Sequence, residues 1–144
     1  MMSLTVRRVD PFTVGNQLTT LFVDNERPEF PDWFDRAYPL AMRDGGSTWV
    51  SVDSEGRVVG HMSAFRATFW LGDGIVRGAL LCNLMTDKAH RTFFPTAALI
   101  KQAVRDLRDS GVEFIYTNPI NKGSIVVMRA AGLMKIGELG RYML

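Results

Sequence analysis

The spacing of apolar and polar positions changes several times along the chain, and each change marks an element. Residues 4–9 are rich in β-branched side chains and hold no breaker, which predicts a strand. Asp10-Pro11 then reads as a helix start, with Asp10 as cap and Pro11 at the first helical position. Val14, Leu18, Leu21 and Phe22 follow on one face at helical spacing. A second helix is expected over residues 31–43. Asp32 and Asp35 lie early in it, where carboxylates suit the positive end of the dipole. Pro39 should kink or divide that helix, and Gly45-Gly46 should end it. Strands are predicted over 48–52 and 57–71, joined by the turn Asp53-Ser54-Glu55-Gly56. Gly72-Asp73-Gly74 is a hairpin signal leading into a fourth strand, 75–86. Its nearly unbroken apolar run over 79–85 predicts a central strand buried on both faces.

The period then returns to helical. Over residues 94–109, Leu99, Ile100, Ala103, Val104 and Leu107 form a stripe, with Lys101, Gln102, Arg105 and Arg108 opposite it. Gly111 stops this helix, and a fifth strand is expected over 112–117. A loop over 118–121, a short helix over 124–131 stopped by Gly132, and a last strand over 135–143 complete the chain. The order β-α-α-β-β-β-α-β-α-β implies an antiparallel meander, then a crossover to a parallel strand. That is an α+β fold: a mixed central sheet of about six strands flanked by helices, formed as one domain over 1–144.

Composition narrows the functional classes. Hydrophobic residues make up 47% of the 144, enough for a core without staples. A net charge of +2 is too mild to argue for nucleic acid and is compatible with a small anionic ligand. The lone Cys82 rules out an internal disulfide, so a cytoplasmic protein is expected. Neither a secretory leader nor a membrane-spanning run is read from the chain. His61 and His90 beside one cysteine give no zinc spacing, so no metal is expected.

Two local patterns carry a resemblance. The first is Leu84-Met85-Thr86-Asp87-Lys88-Ala89-His90-Arg91, a strand end running through a loop into a helix. The second is Asn121, Ser124 three residues later, and Gly132-Leu133 closing a short helix. With the element order, they make the chain similar to the GNAT superfamily of N-acetyltransferases over nearly its whole length. The resemblance implies a V-shaped gap between the fourth and fifth strands that holds acetyl-CoA as cosubstrate. Pantetheine would lie along Met85 and Thr86. The pyrophosphate would lie at a helix N-terminus among Arg91, Thr92, Phe94, Thr96 and Ala97, with Asn121 and Ser124 on the facing segment. The implied reaction is direct attack of a small-molecule amine on the thioester.

Two departures mark the pattern as non-standard. The family's turn carries glycines where this chain has Phe94 and Thr96, and Pro95 between them lacks an N–H. Many members also place an acidic tyrosine where this chain has Met128, and a thioether donates no proton. Tyr116 or Tyr142 can replace it only if folding brings one to the sulfur. For amine deprotonation the candidates are a water chain or His61, which reads equally as a structural histidine. Asn83 and Asn118 can position the amine or polarise a carbonyl, or satisfy local backbone. Cys82 reads as a small buried hydrophobe rather than a nucleophile, and Asp53 and Glu55 as turn residues. Trp33, Phe34 and Tyr38 either wall an acceptor pocket or fill the core, while Trp49 and Trp70 read as sheet packing. The alternative to an enzyme is a GNAT-fold module that binds CoA or another ligand without efficient catalysis. The last strand, with an open edge and no proline, predicts a homodimer.

Overall fold

The computed structural model describes residues 3–119 and 122–137. A five-stranded sheet runs in chain order: β1 (Thr5–Val9), β2 (Ser47–Val52), β3 (Val58–Leu71), β4 (Gly74–Thr86) and β5 (Phe114–Thr117). The first four strands pair antiparallel, and β5 pairs parallel to β4 over Gly78↔Phe114 to Leu81↔Thr117. Four helices cover the sheet: α1 (Gly15–Asp24), α2 (Phe30–Arg43), α3 (Phe93–Asp109) and α4 (Lys122–Ala130). Five strands therefore stand among the described residues where about six were expected. Residues 135–137 are not strand, and the rest of the expected last strand lies outside the described residues, as does any edge it would offer a second copy.

Each sheet face has its own core. Trp49, Met62, Ala64, Ala79 and Leu81 meet Leu99, Ile100, Ala103 and Leu107 of α3 on one face. Trp49 is fully buried and its indole N–H donates to Asp106 Oδ2 at 2.7 Å, which leaves no orphan donor. On the other face Val50, Val52, Val58 and Met85 meet an aromatic cluster from α1 and α2: Phe22, Phe30, Phe34 and Tyr38. Asp10 caps the entry to α1 as expected, accepting from Phe12 N at 3.0 Å, although the first turn, Pro11–Val14, is a 3-10 turn.

Three expectations are corrected. Pro39 does not divide α2, which runs unbroken through it. Asp35, whose carbonyl loses its helical partner, and Pro39 are both exposed, so water can take the place of the missing N–H. The strand buried on both faces is β2, not β4; in β4, Leu80, Cys82, Asn83 and Leu84 are only half-buried because they line a cavity. Trp70 is no sheet-packing residue: it is 75% exposed near the tip of the β3–β4 hairpin, beyond the reach of both β2 and β5.

Gly46 marks the tightest junction. A Cβ there would lie 2.6 Å from the Ala41 carbonyl oxygen and 2.7 Å from Met42 Cε, where α2 hands over to β2. Backbone cannot yield cheaply, so Gly46→Ala is expected to lower stability by about 2 kcal/mol in urea unfolding. A variant as stable as the parent would contradict this packing.

Candidate functional site

β4 and β5 share a ladder only as far as Leu81 and Thr117. Beyond that point β4 runs on for five residues with no β5 neighbour, and a cavity of about 1080 Å³ opens there. Its walls are β4 from Leu80 to Thr86, the loop Thr117–Pro119, one side of α4 including Ser124 and Met128, the start of α3, and the α1–α2 connection.

Local chemistry shapes β4 at the cavity. His61 pairs with Met85 but Ser63 pairs with Cys82, so β4 carries one extra residue opposite Met62. Asn83 sits in this bulge with φ 56°, a left-handed conformation uncommon for a residue with a Cβ. Asn83, Leu84 and Met85 all line the cavity.

The loop after β4 is tied down by side chains. Asp87 accepts from Ala89 N (3.1 Å) and from His90 Nδ1 (3.3 Å), closing a 3-10 turn, Lys88–His90. Arg91 folds back so that Nε and Nη2 donate to the Thr86 carbonyl at 3.3 and 3.2 Å, and Nη2 also donates to Asn25 Oδ1 at 3.2 Å. Thr96 turns inward, its hydroxyl 2.9 Å from that of Thr86. Thr92 caps α3 without a side-chain bond, so the N–H groups of Phe93 and Phe94 in the first turn have no intrahelical partner. Phe94 is 79% exposed and does not line the cavity. No residue from 91 to 96 has a positive φ, so the absent glycines cost this loop no dihedral strain.

The expected site residues divide accordingly. Asn83, Met85, Thr86, Arg91, Thr92, Thr96 and Ser124 come together on one cavity, with Asn118, Cys82 and Met128 beside them. Phe94 and Ala97 are not on its wall. Tyr116 packs edge-on to Phe69 at 5.2 Å and stacks on Phe114 at 6.1 Å, also away from the wall. His61 is fully buried behind β4, and burial holds its pKa down at about 4. Asn121 and Tyr142 lie outside the described residues. Burial pushes the Cys82 thiol up to about 12, which suits a lining residue and not a nucleophile. Of the aromatic trio, Trp33 lines the cavity, while Phe34 and Tyr38 are core.

Sequence reasoning missed Asn25. Its buried amide makes four bonds. Nδ2 donates to Leu21 O (2.7 Å) and Asp87 Oδ1 (3.2 Å), while Oδ1 accepts from Lys88 N (2.9 Å) and Arg91 Nη2 (3.2 Å). Locally it reads only as the residue that ends α1. Among the described residues no cluster of three His, Cys, Asp or Glu could hold a metal, and no helix is long and apolar enough to cross a membrane.

No sequence-family model matches the chain, and no curated protein sequence does. Solved structures match it over nearly its whole length. A transcriptional regulator from Bacillus halodurans has a TM-score of 0.79 at 15% identity, covering 99% of this chain and 100% of its own. An aminoglycoside acetyltransferase from an uncultured soil metagenomic sample has a TM-score of 0.76 at 18% identity, covering 99% and 97%. A GNAT family acetyltransferase from Staphylococcus aureus has a TM-score of 0.73 at 13% identity, covering 99% of each. The fold of this chain is the GNAT acetyltransferase fold.

Proposed function

We propose that this GNAT-fold chain is an acyl-CoA-dependent N-acyltransferase, passing an acetyl or related acyl group to a small-molecule amine by direct attack. The observation that carries the reading is the parting of β4 from β5 after Leu81 and Thr117. It leaves a strand edge free for an extended ligand, with a basic loop and a helix N-terminus at the far end. The residues present fit acetyl-CoA. The backbone of Met85 and Thr86 can take the pantetheine amides. Arg91 and the N–H groups of Phe93 and Phe94 form the anion end, and Thr96, bonded inward to Thr86, braces it. Bound there, the cosubstrate supplies an activated thioester.

The chain's own residues contribute position more than proton transfer. Trp33 and the α1–α2 connection wall the acceptor end, and Asn83 offers a polar group beside the strand gap. Met128 lines the cavity where the family's acid would stand, and Tyr116 faces elsewhere. In this reading water takes the amine's proton, with Glu26 and Glu29 on the same cavity wall, and among the described residues no tyrosine lines the cavity to protonate the thiolate. The thioether at position 128, in place of the family's acid, favours the second reading, a module that binds CoA without turning it over.

Calorimetric titration of CoA, beside thiol release from acetyl-CoA with a panel of amines, tests both. Binding with turnover supports the enzyme, binding without turnover for any amine supports the module, and no binding ends both. Arg91→Glu is expected to weaken CoA at least about tenfold, the loss of one charge-assisted contact with repulsion added. Equal affinity in parent and variant would remove the pyrophosphate from this loop.

A further inference from the structure

His61 sits in a chain of buried polar side chains that ends on the cavity's back wall. Its Nδ1 is 2.7 Å from the carbonyl oxygen of Asn83. A carbonyl only accepts, so Nδ1 carries the proton and Nε2 must accept. Tyr38 Oη lies 3.1 Å from Nε2 and 2.9 Å from Ser63 Oγ, and Ser63 Oγ is 2.9 Å from Thr48 Oγ1. Ser63 Oγ is itself 3.1 Å from Nε2, so two arrangements satisfy every proton: Thr48 donates to Ser63, and then either Ser63 donates to Tyr38 and Tyr38 to Nε2, or Tyr38 donates to Ser63 and Ser63 to Nε2; in both, Nδ1–H goes to Asn83. Tyr38 Oη then also accepts from Asn83 Nδ2 at 3.3 Å. Tyr38, Thr48, His61 and Ser63 are each wholly buried. Bonds running in one direction polarise one another, which strengthens the last.

That last bond falls on the carbonyl of the one β4 residue held left-handed, Asn83. Such a conformation persists only when its surroundings fix it. We propose that His61 is a positioning residue. Its Nδ1–H, oriented by Thr48, Ser63 and Tyr38, pins the Asn83 carbonyl and so sets the β4 bulge that presents Asn83, Leu84 and Met85 to the cavity. What the bulge presents them to rests on the acyl-CoA reading; the clamp itself does not. The chain has no exit for a proton, since one end is a carbonyl and the other is Thr48, and His61 does not line the cavity. A neutral imidazole, not a base, is what this geometry uses.

Three measurements test it. Nitrogen NMR of the unmutated protein should show His61 protonated at Nδ1 and bare at Nε2; the opposite tautomer overturns the clamp with no variant made. His61→Leu keeps bulk and removes the donor, whereas His61→Asn puts an amide N–H where Nδ1–H stood. In the ligand-free protein, amide exchange over 83–85 should speed up at least about tenfold in His61→Leu relative to the far half of the β3–β4 hairpin, and stay within about threefold in His61→Asn. Acetyl-CoA affinity should follow the same order. Identical exchange in both variants, or no change in His61→Leu, overturns the proposal. If the exchange pattern holds while the parent binds neither CoA nor acetyl-CoA, the acyl-CoA reading falls and the clamp stands.

Discussion

Acidification from pH 6.5 to about pH 4 is expected to cost the fold about 3 kcal/mol through His61 alone. The unfolded chain binds a proton at this imidazole near pH 6.5, while burial holds the folded-state pKa down at about 4. Across that window the unfolded state carries more protons, so stability falls as pH falls. His61 exacts no penalty above the window and adds none below it. Glu113 and Asp87, whose hydrogen bonds hold them below their ordinary values of 4.5 and 3.8, begin to add losses as pH falls through those values, at the acid end of this window and below it. Urea midpoints measured across this range should trace the slope, and His61→Asn, which has nothing to titrate there, should flatten it. A parent curve without that slope would mean that the imidazole is not sealed from water.

Asn25→Leu is expected to cost about 3 kcal/mol, because it leaves Lys88 N–H and the Leu21 carbonyl short of a partner at a buried site and frees Arg91. Asn25→Asp separates hydrogen bonding from charge. It keeps both acceptor contacts but sets a carboxylate against Asp87 Oδ1, now 3.2 Å from the amide nitrogen. At pH 7 that variant should be destabilised, and its deficit against the parent should shrink toward pH 4 as the pair takes up a proton. A deficit independent of pH would show that the lost N–H bonds, and not charge repulsion, account for it.

The sequence revealed what is set by neighbours along the chain. The Asp10 cap, the Gly72 turn, the stripe of α3 and the crossover into β5 all follow from local chemistry and period. The resemblance carried by the strand–loop–helix run implied a place for Arg91 beside the strand gap, and Arg91 lines the cavity there. What stayed hidden is set by distance or by the far side of a contact. Asn25 reads as a helix end, yet three of its partners lie 62, 63 and 66 residues away. The bulge at Asn83 has no glycine to announce it, and its restraint comes from His61 on the neighbouring strand. Trp70 alternates like any strand residue, and only the lengths of β2 and β5 leave it uncovered. The apolar run of β4 announced burial, and the half-buried reality reflects where β5 parts from it after Leu81, which no residue within β4 encodes.

The three tryptophans occupy three different dielectric settings, which makes the chain its own optical reporter. Trp49 is sealed and hydrogen-bonded to Asp106, so its emission should be blue and deaf to acrylamide. Trp70, three-quarters exposed, should emit red and quench freely. Trp33, stacked on Phe65 at 5.8 Å, is the one of the three on the cavity wall. In a Trp70→Phe background the solvent-quenched signal disappears, and any intensity change on adding CoA then reads the cavity wall through Trp33, with the sealed Trp49 as a constant background.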